Sequence, residues 1–182
     1  AQSLGMQPHL LVGDMDSITP VDLADARDAN VQITQFPQNK DLTDTEIAIT
    51  SALKHDSSHI TVVSGGGDRF DHVLGMVHSL ASTARTIYTT LLIGTARVSY
   101  VSYTKEFQLD TQARTVVSLL PIGGDATVTT KGLQWELDND TLQSFASRGV
   151  SNIATSTSVS ISVTDGFLAV IEPFFLNPGD IS

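Results

Sequence analysis

Short apolar runs that stop at acidic or glycine-rich loops, each followed by a helical pattern, recur along the first half of this chain and restrict its fold more than any other feature. Leu10-Leu11-Val12 enters Gly13-Asp14-Met15-Asp16-Ser17, residues 31–36 enter a loop over 37–42, and residues 60–63 enter Ser64-Gly65-Gly66-Gly67. Thr19-Pro20 reads as an N-cap followed by Pro in the first turn, opening a helix through about Ala29. Thr43-Asp44-Thr45-Glu46 has capping-box spacing ahead of a helix bearing Ile47, Ile49 and Leu53, and Val73, Leu74, Val77 and Leu80 mark the apolar face of a helix over 71–82. Strand and helix alternating in this way predict an α/β domain on a largely parallel sheet. After about Tyr88 the segments become short, rich in Val, Thr and Ser, and separated by turn signals, so the second part is expected to be all-β, a sandwich or roll. Its clearest element, residues 158–164 and 167–171 around Asp165-Gly166, reads as a hairpin. The expected boundary gives domains 1–104 and 105–182.

Composition narrows the function. A chain of 182 residues without cysteine can bury a core unaided, and it has neither a disulfide framework nor a thiolate nucleophile. A net charge of -10 repels nucleic acid and anionic membranes, so neither is an expected partner. No run approaches the ~18 apolar residues of a membrane helix, and a cytoplasmic location is the expectation.

In a parallel α/β sheet the carboxyl ends of the strands share an edge, where loops build the ligand site. Asp14, Asp16 and Asp44 would meet there, and crowded carboxylates stay ionised together only beside a cation. That points to a hard divalent metal and a phosphate-bearing substrate. Each residue also has a plainer reading. An isolated D-x-D pair is often a turn that bonds its own backbone. It is not an EF-hand, because Ile18 stands where the third ligand would fall. Asp44 in a first helical turn complements the helix dipole without further function, although Lys40 and Asp41 crowd the same loop; Asp41 is the weaker ligand candidate. Gly65, Gly66 and Gly67 suit close approach of backbone amides to phosphate, yet form neither a Walker A loop nor a dinucleotide fingerprint. Arg69 offers a fork for phosphate oxygens, or ties the loop by pairing with Asp68 or Asp71. Of the five histidines only His72 sits in a motif-like segment. Trp135, the one tryptophan, reads as a core aromatic or as a face for a flat cationic heterocycle. Residues 148–152 form a polar turn.

Together, Val12-Gly13-Asp14-Met15-Asp16-Ser17, Phe36-Pro37, Lys40-Asp41-Leu42-Thr43-Asp44-Thr45-Glu46, Arg69-Phe70-Asp71-His72, Gly132-Leu133-Gln134-Trp135-Glu136-Leu137 and Ser151-Asn152 resemble the thiamin pyrophosphokinase family over most of the chain. The resemblance implies an α/β catalytic domain followed by a β-sandwich domain in a homodimer, with thiamin held between the catalytic domain of one subunit and the β domain of the other. It implies transfer of a pyrophosphoryl group from ATP to the thiamin hydroxyl, releasing AMP. By residue match, Asp14, Asp16 and Asp44 would hold Mg²⁺. Asp71 would contact thiamin and orient or deprotonate its hydroxyl, Trp135 would stack on thiamin, and Ser151 and Asn152 would line its pocket. Asp44, Arg69 and Asp71 are the expected catalytic residues. Ser17, Gly65, Gly66, Gly67 and Arg69 are expected at the nucleotide, and Lys40 at the substrate. Three departures stand out: the family's first strand, with an acidic Gly-Gly-Ala segment, is expected upstream of Ala1, Asp68 replaces a usual Gly, and Met76 replaces a common Asn. Two competing readings are a metal-dependent nucleotide phosphohydrolase, since clustered aspartates serve hydrolysis as well, and a non-catalytic thiamin or nucleotide sensor.

Overall fold

Local start signals set the helices of a computed structural model that describes residues 5–37, 41–67, 69–102 and 106–175. Asn39, Lys40, Asp68 and the expected boundary between 104 and 105 lie outside the described residues. Two compact units are present, Ala1–Asp56 and Ser57–Ser182.

The first unit contains β1 (Leu10–Gly13), α1 (Pro20–Asp28), β2 (Gln32–Gln35) and α2 (Asp44–Ala52). Thr19 Oγ1 accepts the Asp22 amide at 3.1 Å while Pro20 occupies the first turn, where its missing N–H costs nothing. At α2 the capping box is complete: Thr43 Oγ1 accepts the Glu46 amide at 3.2 Å, and the Glu46 carboxylate accepts the Thr43 amide at 3.1 Å. β1 and β2 pair in parallel, Leu10 opposite Gln32 and Gly13 opposite Gln35. Ala26, Val31, Ile47 and Ile49 supply the unit's buried apolar side chains.

The second unit begins with β3 (His59–Ser64), α3 (Phe70–Thr83), β4 (Tyr88–Ile93) and β5 (Ala96–Ser102). It continues through β6 (Phe107–Asp110), β7 (Val116–Pro121), β8 (Ala126–Lys131), β9 (Asp140–Leu142), β10 (Asn152–Ile153), β11 (Ser158–Asp165) and β12 (Phe167–Glu172). A six-stranded sheet runs β10-β7-β12-β5-β4-β3, and a four-stranded one runs β6-β11-β8-β9. β3 and β4 are parallel, but β4 turns back onto β5 as an antiparallel neighbour. Parallel pairing among the described residues is therefore confined to β1–β2 and β3–β4, so the six-stranded sheet is mixed and the four-stranded one antiparallel. β5 pairs directly with β12, so β3, β4 and β5 lie in one sheet with strands of the β-rich half. Leu119, Leu168 and Val170 from the larger sheet and Val128, Leu142 and Ile161 from the smaller one join a single core, all essentially inaccessible. Each such side chain contributes about 1.5–3 kcal/mol through removal from water.

Met76, Leu80 and Ala81 form the buried face of α3, whereas Leu74 is 44% exposed. The expected hairpin around Asp165-Gly166 is not one. β11 pairs with β6 and β8, and β12 pairs with β5 and β7, so this turn carries the chain from one sheet to the other. The positive φ expected of Gly166 is present, +83°, and a Cβ would in addition lie 2.2 Å from the Asp125 carbonyl oxygen.

Candidate active site

The acidic candidates Asp14, Asp16 and Asp44 belong to the first unit. β1 ends at Gly13, which is buried, and α2 begins at Asp44. The Asp44 carboxylate lies over the Gly13 backbone: a Cβ placed on Gly13 would touch its Cγ at 3.6 Å and both oxygens at 3.7 Å. The strand end carrying Asp14 and the helix start carrying Asp44 are thus brought together, 30 residues apart in sequence. Asp14 Oδ1 accepts the Asp16 amide at 3.1 Å, and Asp16 Oδ1 accepts the Ser17 hydroxyl at 2.7 Å. These are the turn bonds of the plainer reading. The loop is nevertheless not relaxed, because Met15 has φ +67°, a left-handed conformation that costs a long side chain about 1–2 kcal/mol. Gln35, at the end of β2, donates its Nε2–H to the Asp14 carbonyl oxygen at 3.2 Å and fixes the loop from the neighbouring strand.

As donors, three carboxylates suit a hard divalent cation such as Mg²⁺. The packing of Asp44 on Gly13, where any larger residue would place a carbon against the carboxylate, fits such a use. Among the described residues, however, no three His, Asp or Glu side chains are drawn together into a group that could hold a metal ion.

The second unit carries the glycine loop. β3 delivers Ser64, whose Oγ accepts the Gly66 amide at 3.2 Å, and Gly66 and Gly67 adopt φ of +88° and +65°. α3 follows with Arg69 at its N-cap, no side-chain capping bond from that residue, and Asp71 in its first turn. Arg69 and Asp71 are both exposed and form a two-pronged pair, Nε to Oδ1 at 2.9 Å and Nη2 to Oδ2 at 2.6 Å. Hydrogen bonding from Arg69 holds the Asp71 carboxyl well below the usual carboxylate range. The same bond raises the Arg69 guanidinium. Of the two expectations for Arg69, pairing within the loop is the one seen.

Trp135 is not a core residue: it is 57% exposed. It lies at a depression of about 490 Å³ lined also by Glu136, Leu137, Arg148, Val150 and Asn152. Arg148 Nη2 sits 3.0 Å from Asp140 Oδ1, and that hydrogen bond holds the Asp140 carboxyl low. Asn152 is 4% exposed, and its side-chain amide oxygen accepts the Trp135 backbone N–H at 3.1 Å. Ser151 is exposed, with φ +59° and its amide donated to Ser118 Oγ at 3.0 Å. Gln35, Met15 and Glu136 had no site assignment from sequence; a glutamine on β2 and a methionine between two aspartates carry no local chemical signal.

Solved thiamine pyrophosphokinases share the fold. The Bacillus subtilis structure superposes with a TM-score of 0.85 at 23% identity, covering 96% of this chain and 83% of its own. That of Candida albicans gives 0.75 at 15%, covering 94% and 75%. The family model "Thiamin pyrophosphokinase, catalytic domain" matches residues 1–91, and "Thiamin pyrophosphokinase, vitamin B1 binding domain" matches residues 104–168. The chain belongs to the thiamin pyrophosphokinase family. Thiamine pyrophosphokinase 3 of Oryza sativa subsp. japonica is 29% identical over 171 residues, 87% of this chain and 62% of that protein. Thiamine pyrophosphokinase 1 of Arabidopsis thaliana is 26% identical over 165 residues, 85% and 61% respectively. The chain therefore spans about three-fifths of the length of these curated relatives. No helix among the described residues is long and apolar enough to cross a membrane.

Proposed function

We propose that the protein transfers the pyrophosphoryl group of ATP to the hydroxyl of thiamin, giving thiamin diphosphate and AMP. The observation that carries this reading is the match of both family domains, in order, over 1–91 and 104–168, together with the Asp44 carboxylate seated on Gly13 next to Asp14. Asp14, Asp16 and Asp44 would hold Mg²⁺, which when bound neutralises phosphate charge. Ser17 and the amides of Gly65, Gly66 and Gly67, continued by the uncapped start of α3, would receive phosphate oxygens. Two N–H groups of Arg69 are spent on Asp71, and the rest of its fork would face phosphate. Asp71, held in place by its pair with Arg69, would contact thiamin and orient or deprotonate its hydroxyl. The exposed indole of Trp135 would stack on thiamin, whose thiazolium suits an acidic chain. Lys40 and Ser151 would contribute to the substrate side, with Asn152 beside Trp135. The wider reading is a functional division at 104/105, a β-sandwich thiamin module, a cytoplasmic homodimer with thiamin at the subunit interface, and no nucleic-acid or membrane partner.

Replacing Asp44 or Asp14 by Asn tests it. Turnover with MgATP and thiamin should fall at least about a hundredfold, with Mn²⁺ binding weakened in parallel and the thermal unfolding midpoint nearly unchanged. Retained turnover in both variants would remove these carboxylates from the mechanism.

A further inference from the structure

Residues 132–135 and 152–155 run side by side as a short antiparallel ribbon. The Thr155 amide donates to the Gly132 carbonyl at 2.8 Å, Leu133 and Ala154 form a bridge, and the Gln134 amide donates to the Ile153 carbonyl at 2.8 Å. At the next step Asn152, which pairs with Val117 of β7 on its other edge, meets Trp135. The Asn152 side chain makes this contact. Asn152 Oδ1 accepts the Trp135 backbone N–H at 3.1 Å, and Asn152 Nδ2 donates to the Trp135 carbonyl at 2.7 Å. A primary amide carries donor and acceptor in one plane, as a peptide group does, so it can extend the ribbon by one rung. Oδ1 also accepts the Ile153 amide at 2.8 Å, which fixes the plane of the amide. Asn152 is 4% exposed while Trp135, whose backbone it holds, is 57% exposed.

We infer that Asn152 is a positioning residue: it acts on ligand recognition through Trp135, holding the Trp135 backbone so that the indole face is presented to the depression, and is not itself a ligand contact. This rests on the reading of Trp135 as the thiamin-stacking residue. It replaces the simpler expectation that Asn152 lines the pocket as a binding group, because its acceptor and one of its two donors are already committed to the backbone. An aspartate would keep the acceptor and lose the donor; a serine would be too short to reach both groups.

The test is a double-mutant cycle on the full chain, with thiamin as the probe and calorimetry as the binding assay. Asn152→Asp and Trp135→Phe should each weaken thiamin binding about three- to tenfold. The double variant should lose no more than the worse single, because both changes remove one element. Trp135 is the only tryptophan, so the steady-state fluorescence anisotropy of the protein reports that ring alone; it should fall in Asn152→Asp. Asn152→Ser provides the same readings if the aspartate does not fold. Losses that multiply in the double variant, or wild-type anisotropy with weakened binding, would make Asn152 a direct contact and overturn the inference. If Trp135→Phe binds thiamin as tightly as the wild type, the stacking assignment under Proposed function is what fails.

Discussion

Glu172 and Arg97 provide the sharpest energetic test of the second unit. They stand opposite one another on β12 and β5, two central strands of the six-stranded sheet. Glu172 is 3% exposed; its Oε2 accepts from Arg97 Nε at 2.5 Å and its Oε1 from Thr111 Oγ1 at 3.1 Å. Arg97 keeps two other contacts, Nη2 to the Asp110 carbonyl at 3.3 Å and its guanidinium 4.1 Å from the Phe175 ring centroid. Removing one member of a buried pair strands the other and costs about 3–5 kcal/mol. The Arg97 side chain retains 23% of its exposure, so water recovers part of that loss and Glu172→Leu should fall at the lower end, about 3 kcal/mol. Replacing both, Arg97→Met with Glu172→Leu, removes the stranded charge and should cost less than the single change. Urea unfolding followed by far-UV circular dichroism gives both numbers. A single variant losing under about 1 kcal/mol, or a double variant losing as much as the single, would refute the reasoning.

Three further outcomes are expected. The Asp71 carboxyl should titrate well below its ordinary value of 3.8 in a carboxyl NMR experiment, and Arg69→Gln should return it toward that value. Because the folded-state value is depressed, the pair's contribution is present above the ordinary value and is lost as pH falls toward the depressed one; an Asp71 that titrates normally in the wild type contradicts the paired geometry. Gly166→Ala should unfold the second unit well below the wild-type temperature, because a Cβ there meets backbone at 2.2 Å, and an unchanged midpoint would show that the turn can shift. Thr43→Ala should cost about 1 kcal/mol by opening the α2 capping box. No change in the urea midpoint would mean that α2 is held by packing alone.

What was legible in the sequence was local. Thr19-Pro20 and Thr43 with Glu46 announce helix starts because each cap is made within four residues, and all of those bonds are present. The family motifs likewise lie in short segments. Non-local pairing was not legible. Asp165-Gly166 carries the same turn chemistry whether the flanking strands pair or separate, and the separation depends on partners far along the chain, β8 for β11 and β5 for β12. The near-continuous burial of Phe167–Glu172, against the alternation of Ser158–Asp165, is the physical mark of a strand covered on both faces as opposed to one with a free face. The Arg97–Glu172 pair spans 75 residues and leaves no trace in either neighbourhood. At the candidate site, Asp14 and Asp44 could be named from their loops, but the contact between the Asp44 carboxylate and Gly13 depends on α2 packing on β1. Trp135 was ambiguous because a lone aromatic in a β segment suits a core as well as a surface, and only its exposure separates the two.

The most direct test of the proposed activity is a phosphorus NMR time course of the protein with MgATP, run with and without thiamin. AMP and thiamin diphosphate should accumulate in equal amounts when thiamin is present, and ATP should remain intact without it. Thiamin-independent release of phosphate, or thiamin bound with no AMP formed, would contradict the account.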